Sequence, residues 1–288
     1  MSGEQKLMYD EKINFVRDYI SENLDENLTV EKLSQVANFS KYHFHRQFSS
    51  YVGMNVARYI LMLRLKRASY QLVFKKDYRI IDIALASNFE NHESFSRAFK
   101  KVFGQTPSQF RQNPQWQIWH ERFFLPKIER NEKMDVEIID FDETKVAVLE
   151  HRGPHELLND SIGQFIQWRM QSGLSPVTSS RTFGLIYDDP ETTEPEKFRF
   201  DICGEVSQEV PKNEYGIVNK IIPAGRCAMI EHEGAYEELD QKIRFLYAQW
   251  LPSSGEELRD FPGFAQYVNL FPEVPEHELL TRVYLPLK

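Results

Sequence analysis

The fold of the N-terminal half is decided by residues 94–111, which read Ser94-Phe95-Ser96-Arg97-Ala98-Phe99-Lys100-Lys101-Val102-Phe103-Gly104-Gln105-Thr106-Pro107-Ser108-Gln109-Phe110-Arg111. Phe95 and Phe99 are one helical turn apart and predict the buried side of a helix, while Arg97 and Lys100 lie on another side. Gly104 predicts the end of this helix because glycine adopts the left-handed backbone conformation at little cost. By itself, the stretch also fits a basic helix whose charged side simply faces solvent.

A second copy of this pattern lies earlier in the chain and reads Phe44-His45-Arg46-Gln47-Phe48-Ser49-Ser50-Tyr51-Val52-Gly53. Its two Phe, its Arg and its Gly each lie 51 positions before their counterparts in the first stretch. Upstream of the two copies, Asn38 lies 50 positions before Asn88, so the second copy has one extra turn residue. The sequence therefore predicts a duplicated helix-turn-helix. The two asparagines predict turns with positive φ, which asparagine tolerates better than most residues other than glycine.

The helix after each turn is predicted to enter the DNA. Its phenylalanines face the core, and the polar side chains on its other side face outward. The residues predicted to contact DNA are Lys41, Tyr42, His45 and Arg46 in the first helix and Asn91, His92, Ser96, Arg97 and Lys100 in the second. Polar groups at the front of such a helix can address base edges, whereas Lys and Arg supply phosphate contacts.

A single long helix is predicted between the two motifs, over residues 56–76, and it carries the basic cluster Arg64-Lys66-Arg67. Some twenty residues at ~1.5 Å each span about 30 Å. This length is close to the ~34 Å of one turn of B-DNA, so two reading helices on one chain can enter successive major grooves. The chain is therefore predicted to bind DNA as a monomer. We expect the basic cluster to add phosphate affinity.

The net charge of −8 hides an asymmetry between the two halves of the chain. Residues 1–130 carry a net charge of +6, and residues 131–288 carry a net charge of −14. A basic segment beside an acidic one indicates a polyanion-binding module joined to a second module. Double-stranded DNA is therefore the predicted partner of the first module. A length of 288 residues allows each module a core of its own.

Residues 8–112 resemble the DNA-binding domain of the AraC/XylS family of transcription regulators. The resemblance is carried by Ile83-Ala84-Leu85-Ala86-Ser87-Asn88-Phe89 and by the stretch from Phe95 to Pro107. It implies base or backbone contacts from the positions of Tyr42, His45, Arg46, His92, Ser96 and Arg97. RNA polymerase is a further expected partner. Asn88 departs from the family, which usually has Gly there, and we expect the turn to tolerate the change.

From Met134 onward the pattern changes to strands, the first predicted at 136–140 and the next at 145–150, and a second internal repeat begins. The segment Val146-Ala147-Val148-Leu149-Glu150-His151-Arg152-Gly153 corresponds to Cys227-Ala228-Met229-Ile230-Glu231-His232-Glu233-Gly234, 81 positions later. Each copy is followed by an amphipathic helix that ends near Trp168 or Trp250. Two strands are predicted after each helix, at 182–187 and 198–206 in the first copy and at 264–271 and 279–287 in the second.

The predicted fold class follows from these two duplications. An all-α N-terminal domain with two helix-turn-helix motifs is followed by an α+β domain of two strand-helix-strand-strand repeats. The repeats are expected to form two half-sheets with helices on one side and a pseudo-two-fold crevice between the copies. The expected domains are 8–112 and 134–288, with a linker at 113–133.

Residues 134–288 resemble the gyrase-inhibitor-like (GyrI-like) effector-binding domain. The likeness is carried by Phe183-Gly184-Leu185-Ile186-Tyr187-Asp188-Asp189-Pro190, Trp250-Leu251-Pro252-Ser253-Ser254-Gly255 and Val283-Tyr284-Leu285-Pro286-Leu287. An AraC-type reader joined to this domain resembles the Rob-type regulators and implies a small-molecule effector or a protein partner. The resemblance implies that relatives that bind drugs have a crevice lined by aromatic residues, with one buried Glu. The stretch that usually carries this Glu reads Pro262-Gly263-Phe264-Ala265-Gln266-Tyr267 here.

The residues expected to line the crevice are Trp168, Tyr187, Trp250, Ala265, Tyr267 and Tyr284. The alternative is that the aromatic residues among them belong to the hydrophobic core. Because Ala265 is not acidic, the crevice suits neutral ligands better than cations. The pairs Glu150-His151 and Glu231-His232 recur at equivalent strand ends, which favours a structural role over acid–base chemistry.

The remaining features limit the function classes. No cofactor, metal or catalytic residue is expected, because the two cysteines lack metal-ligand spacing and no phosphate loop or nucleophile elbow occurs. No apolar run reaches the ~20 residues of a membrane span and the N-terminus lacks a signal-peptide core, so we expect a cytoplasmic protein. The favoured function is sequence-specific transcription regulation. The alternative is that the C-terminal domain is a hydrolase of small reactive molecules fused to a DNA-binding module.

Overall fold

A computed structural model of the chain describes residues 3–123 and 134–288. These residues form two compact units, one helical and one built on a β-sheet. The predicted class, an all-α domain with two helix-turn-helix motifs and an α+β domain with a duplicated pattern, is confirmed.

The described part of the first unit contains eight α-helices. They are α1 (Gly3–Glu22), α2 (Val30–Val36), α3 (Lys41–Val52), α4 (Val56–Phe74), α5 (Ile80–Ala86), α6 (His92–Phe103), α7 (Pro107–Gln112) and α8 (Trp116–Arg122). Five of them begin at a short polar residue whose side-chain oxygen accepts a hydrogen bond from the backbone N–H three residues later. These N-caps are Thr29, Ser40, Asn55, Asn91 and Thr106.

The two helix-turn-helix motifs differ by one residue in the turn, as predicted. Four residues, 37–40, separate α2 from α3, and five residues, 87–91, separate α5 from α6. Asn38 and Asn88 have φ values of 53° and 60°, so both predicted positive-φ turns are confirmed. We call α3 and α6 the reading helices. Each of them ends at a glycine in the left-handed conformation.

The helical unit has two separate hydrophobic cores that share α4. The first core is formed by α1, α2 and α3 with the N-terminal half of α4, up to Leu63. The second core is formed by α5 to α8 with the C-terminal half of α4, from Leu65 onward. In each core the first two phenylalanines of the reading helix contact each other, with ring centroids 5.7 Å apart for Phe44 and Phe48 of α3 and 5.6 Å apart for Phe95 and Phe99 of α6. Each motif therefore has its own core.

Part of the predicted linker, 113–133, belongs to the helical unit. Trp116 and Trp119 of α8 are 1% and 2% exposed and pack into the second core. The indole Nε1 of Trp119 donates to the hydroxyl of Ser69 at 2.9 Å. Large indole rings stabilise the chain by packing in a core, which explains why this part of the predicted linker belongs to the helical unit. Residues 124–133 lie outside the described residues, so the limits of the linker and of the two domains stay predictions.

The second unit has one eight-stranded antiparallel sheet in its described residues. Its strands are β1 (Glu137–Phe141), β2 (Thr144–Arg152), β3 (Thr182–Ile186), β4 (Arg199–Glu205), β5 (Val218–Ile222), β6 (Gly225–Glu233), β7 (Gly263–Tyr267) and β8 (Leu280–Pro286). Their order across the sheet is β1-β6-β8-β7-β3-β4-β2-β5. Every strand of the first repeat begins 81 positions before its counterpart in the second, so the predicted repeat is confirmed.

The sheet differs from the prediction in two respects. Each repeat begins with one additional strand, and this strand pairs with the other repeat: β1 lies beside β6, and β5 lies beside β2. The two half-sheets are also joined into one, because the central strands β3 and β7 pair along their length. The first of these strands was predicted at 136–140, but local alternation of apolar residues does not indicate which distant strand it joins, so neither pairing was predicted.

The two faces of the sheet bury different side chains. One face is covered by α9 (Leu158–Ser172) and by α10 (Leu239–Phe245), a π-helical segment (Leu246–Trp250) and α11 (Leu251–Ser254). We call it the helix face. The opposite face is covered by side chains of the strands themselves, and we call it the aromatic face because of Phe141, Phe183 and Phe264. Successive residues of a strand point to opposite faces.

The helix of the second repeat contains one extra residue. Trp168 and Gly173 in the first repeat correspond to Trp250 and Gly255, which lie 82 rather than 81 positions later. The π-helical segment accommodates the extra residue, because a π turn holds one more residue than an α turn. The counterpart α9 is a regular α-helix that ends at Gly173 in the left-handed conformation. The two repeats thus differ in the helix that covers their half of the sheet.

Candidate DNA-reading surface and effector crevice

The first reading helix, α3, presents polar side chains opposite its two buried phenylalanines. His45 and Arg46 are exposed. Lys41, in the first turn, is also exposed and forms an ion pair with Glu31 at 2.7 Å. The side chain of Tyr42, the fourth predicted contact on this helix, lies outside the described part of the structure. Three of the four residues of this helix that were predicted to contact DNA are therefore exposed on the surface.

The second reading helix, α6, presents a similar surface. His92, Arg97 and Lys100 are exposed, and Ser96 is half-buried with its hydroxyl 3.5 Å from Nε2 of His92. Asn91 is the N-cap, and its side-chain oxygen accepts a hydrogen bond from a backbone N–H of the first turn at 2.8 Å. This cap bond uses only the side-chain oxygen of Asn91. All five residues predicted on this helix therefore lie together at one surface.

Arg46 and Arg97 occupy equivalent positions on the two reading helices. They lie 51 positions apart, and each follows the first buried phenylalanine of its helix by two residues. Between the two motifs, α4 has 19 residues and spans about 28 Å. This length is close to one turn of B-DNA, about 34 Å. The arrangement suits two helices that address successive major grooves.

The basic cluster on α4 has partners within the protein, and its expected contribution to phosphate affinity stays a prediction. Lys66 is only 4% exposed. The guanidinium of Arg64 donates to two backbone carbonyls at 2.7 and 2.9 Å. Arg67 pairs with Asp25 and donates to the carbonyl of Ala86 at 2.6 Å. A run of basic residues in a sequence does not reveal partners that are backbone carbonyls far away in the chain.

In the second unit, a local two-fold axis passes between Gly184 and Ala265. The two residues pair directly on β3 and β7, and they are separated by the repeat offset of 81 positions. Ala265 also pairs with Val283 of the helix-face core, and residues directly opposite each other share a face. A Cβ atom added to Gly184 would meet Phe200 and Tyr267, which pack on the same face. Gly184 and Ala265 therefore form the floor of the predicted crevice.

A cavity of about 10 Å³ lies beside this floor. Its walls include Ile186, Ile243, Leu246, Tyr247 and Gly263. The hydroxyl of Tyr247, in the π-helical segment, lies 3.1 Å from the position that a Cβ atom on Gly263 would take. A cavity of roughly 10–15 Å³ holds a single water molecule. A larger ligand therefore requires side chains over the floor to move, and the extra residue of the π-helical segment puts Tyr247 among them.

Only two of the six predicted crevice residues, Ala265 and Tyr267, lie at this floor. Trp168 and Trp250 pack in the helix-face cores, and the rings of Tyr187 and Tyr284 pack on the aromatic face, although Tyr284 also lines the cavity. Alternation along the strand explains Tyr187, because it is an odd number of residues from Gly184. The core role that we considered for these aromatic residues fits the structure for those four.

The crevice has phenol groups near its floor and uncharged residues at the floor itself. Burial raises the pKa of Tyr247 and the pKa of Tyr267, so both phenols stay protonated and can donate hydrogen bonds. Three acidic residues, one each from β2, β4 and β6, lie instead on the aromatic face. Each forms an ion pair: Glu150 with Lys220 at 2.5 Å, Glu205 with Arg181 at 2.8 Å and Glu231 with Arg282 at 2.8 Å.

A buried ion cluster on the aromatic face was not predicted from the sequence. The side chain of Asp201 is 0% exposed and accepts from Arg152 at 2.8 Å, from Lys220 at 2.7 Å and from the hydroxyl of Tyr187 at 2.9 Å. Burial, and then the hydrogen bond to Asp201, raises the pKa of Tyr187 to about 12. The sequence signal for this cluster was Asp201 itself, an aspartate at an inward position of an apolar strand. Its partners come from three other parts of the sheet, so the sequence did not indicate them.

His151 and His232 have the same structural role in the two repeats. Nε2 of each lies close to the carbonyl oxygen three residues later, at 3.2 Å from Pro154 and at 3.0 Å from Ala235. Nδ1 of His151 lies 2.9 Å from the hydroxyl of Ser161. Burial lowers the pKa of His151, which favours the neutral ring. These contacts support the structural interpretation of the repeated Glu-His pairs.

The described part of the chain contains neither a cluster of side chains that could hold a metal ion nor a membrane-spanning helix. Over 3–123 and 134–288, no group of three or more His, Cys, Asp or Glu side chains is arranged to hold a metal ion. None of the helices in these ranges is long and apolar enough to span a membrane. Cys203 and Cys227 are both buried free thiols.

Comparison with protein families gives a match over more than half of the chain. Residues 134–288 match the GyrI-like small molecule binding domain, and residues 33–113 match a helix-turn-helix domain. The chain belongs to the GyrI-like family. It is 48% identical over 157 residues to the probable transcriptional regulator YgiV of Escherichia coli (strain K12), a match that covers 54% of this chain and 98% of that protein.

Two further proteins are similar over shorter stretches of the GyrI-like chain. The uncharacterized HTH-type transcriptional regulator YbfP of Bacillus subtilis (strain 168) is 41% identical over 105 residues, which are 36% of this chain and 35% of that protein. The right origin-binding protein of Escherichia coli (strain K12) is 33% identical over 109 residues, 37% of each chain. The predicted class, a DNA-binding transcription regulator with an AraC-type reader and a GyrI-like small-molecule binding domain, is confirmed by these matches.

Proposed function

We propose that this GyrI-like protein reads two neighbouring DNA half-sites with α3 and α6 and regulates transcription when a ligand occupies its crevice. The observation that supports DNA reading is the equivalence of the two helices, which share a capped start, a buried phenylalanine pair, an exposed Arg and a glycine end. In this proposal His45, Arg46, His92 and Arg97 face base edges. Lys41, Tyr42, Asn91, Ser96 and Lys100 complete the surface with phosphate and flanking contacts.

The DNA-reading proposal is tested by removing the two equivalent arginines one at a time. Arg46→Ala and Arg97→Ala are each expected to weaken operator binding by roughly 1–3 kcal/mol and to relax the base preference in one groove. Lys76→Ala, an exposed cation in the loop between α4 and α5, is the charge-matched control and should bind nearly as the wild type does. Footprinting should show two protected major grooves about one turn apart. Protection of one groove that Arg97→Ala leaves unchanged would refute two-site reading.

Two readers on one chain support a 1:1 complex with DNA. RNA polymerase is the proposed protein partner on the promoter, in the cytoplasm. Light scattering of the free protein and of the complex tests the stoichiometry. A stable dimer at micromolar concentration would count against the proposed monomer.

We infer that the crevice binds an uncharged ligand and does not hydrolyse it. The support is that Gly184 and Ala265 put no carboxylate at the floor to pair with a cation or to activate water, while Glu150, Glu205 and Glu231 are ion-paired on the aromatic face. Incubation with reactive small molecules such as epoxides should therefore yield no hydrolysed product by mass spectrometry. Turnover that disappears in Tyr267→Phe would favour the enzyme alternative instead.

A further inference from the structure

The loop between α1 and α2 is bonded both to α4 and to the second helix-turn-helix motif. The backbone carbonyl oxygen of Glu26 accepts two hydrogen bonds, one from Arg64 at 2.7 Å and one from the side-chain amide of Asn88 at 2.8 Å. Arg64 also donates to the carbonyl of Leu24 at 2.9 Å. The carbonyl oxygen of Glu26 therefore connects the loop before the first motif to α4 and to the turn of the second motif.

Arg67 makes a second connection between the same parts. It lies three residues after Arg64 on α4, pairs with Asp25 of the loop and donates to the carbonyl of Ala86 at the end of α5. Its side chain is 14% exposed. We call the loop 24–26 together with Arg64, Arg67 and Asn88 the strap.

The strap matters because the two motifs have separate cores. Among the buried residues of α4, those up to Leu63 belong to the first core and those from Leu65 onward to the second, so α4 continues from one core into the other. A single helix allows small bends and twists, because individual backbone hydrogen bonds can lengthen slightly. Bonds that run from the loop of one motif to the turn of the other restrict those motions. The strap therefore restrains the angle between the two reading helices.

We propose that the strap holds the two reading helices in one relative orientation and thereby selects the spacing between the two DNA half-sites. The proposal rests on the two-site reading proposed above. One additional base pair moves the second half-site by about 3.4 Å along the helix axis and rotates it by about 35°. A rigid pair of reading helices cannot follow that change, whereas a loosened pair can. The strap residues thus determine specificity without touching a base.

Asn88 and Asn38 offer a matched pair for the test. Both occupy the turn of a helix-turn-helix, both are exposed, and both have positive φ. Glycine is suited to either position, because it adopts positive φ without strain. Asn88→Gly removes the bond to Glu26, whereas Asn38→Gly makes the same chemical change in the other motif, away from the strap. Arg64→Met is the stronger variant, since it removes two carbonyl bonds and keeps an unbranched apolar stem.

The first experiment measures the angle without DNA. Spin labels on Ser50→Cys and Lys101→Cys, exposed positions near the ends of α3 and α6, report the distance between the reading helices by pulsed electron paramagnetic resonance. The buried thiols of Cys203 and Cys227 are shielded from the label. We expect a narrow distance distribution in the wild type and in Asn38→Gly, and a broader one in Asn88→Gly and in Arg64→Met. Equally narrow distributions in all four proteins would overturn the proposal.

The second experiment measures spacing selection in the full chain. Duplexes that carry the two half-sites at the natural spacing, or with one base pair added or removed, are compared by affinity. The wild type and Asn38→Gly should prefer the natural spacing by roughly tenfold or more. Asn88→Gly should lose most of this preference while it keeps its affinity for an isolated half-site. Circular dichroism checks that each variant is folded.

Different experimental results would overturn the strap proposal and the proposal of two-site reading. Tight binding of the wild type at all spacings, or an unchanged preference in Asn88→Gly, overturns the strap and leaves DNA reading intact. Identical affinity of the wild type for one half-site and for two, at every spacing, refutes two-site reading and the strap with it. Only a spacing preference that Asn88→Gly loses and Asn38→Gly keeps supports the proposal.

Discussion

Gly184 and Ala265 face each other across the two-fold axis of the GyrI-like sheet, and only one of the two positions carries a Cβ atom. Ala265 is 1% exposed and fits its place. At Gly184 a Cβ atom would lie 2.3 Å from Cζ of Phe200 and 3.2 Å from the hydroxyl of Tyr267. The backbone is symmetric at this point, but the side chains above it are not. Phe200 and Tyr267 fill the space over the first repeat's side of the floor.

Gly184→Ala should therefore destabilise the second unit. Because the ring of Phe200 has to move away from the new methyl group, we expect a loss of about 1–3 kcal/mol in the free energy of unfolding. Phe200→Leu removes the atom that would clash, so Gly184→Ala should cost less in that background than in the wild type. Chemical denaturation of the four proteins measures the coupling. Equal losses in the two backgrounds would contradict the packing described here.

Asp201→Asn should be strongly destabilising, because it leaves Arg152 and Lys220 beside each other without the buried carboxylate. Removing one partner of a buried ion pair costs about 3–5 kcal/mol, and we expect the lower end because both cations reach solvent. Adding Lys220→Met should restore part of the loss. Glu194→Gln, in an exposed pair with Lys197, is the control and should change the free energy of unfolding by less than about 0.5 kcal/mol. Additive losses in the double variant would argue against a coupled cluster.

His151 and His155 should make the stability of the second unit depend on pH below about 6.5. Burial is the main cause that lowers the pKa of each ring in the folded state. The unfolded chain therefore binds protons more readily, so the stabilisation is complete above the unfolded pKa and is lost as the pH falls. Each ring can contribute up to about 1.4 kcal/mol per pH unit. Denaturation at pH 7.5 and pH 5.5 should show a smaller difference for His151→Gln/His155→Gln than for the wild type. The exposed His45→Gln should retain the wild-type difference.

The local features of the reader were predictable because they depend on residues close together in the chain. Asn38 and Asn88 indicated positive-φ turns, and the shift from 50 to 51 positions indicated one extra turn residue. The strap was not predictable in the same way. Arg64 and Arg67 use their charge on backbone carbonyls some 20 to 40 residues away, and a carbonyl has no signature in the amino-acid sequence.

The placement of the six candidate crevice residues was predicted only in part, and the differences have identifiable causes. Ala265 and Tyr267 lie an even number of residues apart and share the helix face, as strand alternation requires. Tyr187 could have been assigned to the opposite face by the same count from Gly184. The offset of 82 between Trp168 and Trp250 was visible in the sequence and marked the insertion that forms the π-helical segment. The exchange of β1 and β5 between repeats depends on distant pairing, which alternation does not encode.

The identity of residue 265 should decide whether the crevice accepts lipophilic cations. A monovalent cation about 4 Å from a carboxylate gains ~4 kcal/mol at an effective dielectric near 20, before the cost of desolvation. The wild-type floor lacks this group, and Glu150, Glu205 and Glu231 are ion-paired on the other face of the sheet. We therefore expect no binding of lipophilic cations by the wild type in calorimetric titrations, and measurable binding by Ala265→Glu. Ala265→Gln has nearly the same size without the charge, so it isolates the packing cost and should bind neither better nor worse than the wild type. Low-micromolar binding of cations by the wild-type protein would mean that an acidic residue reaches the crevice after all, and the proposal of an uncharged ligand would be wrong.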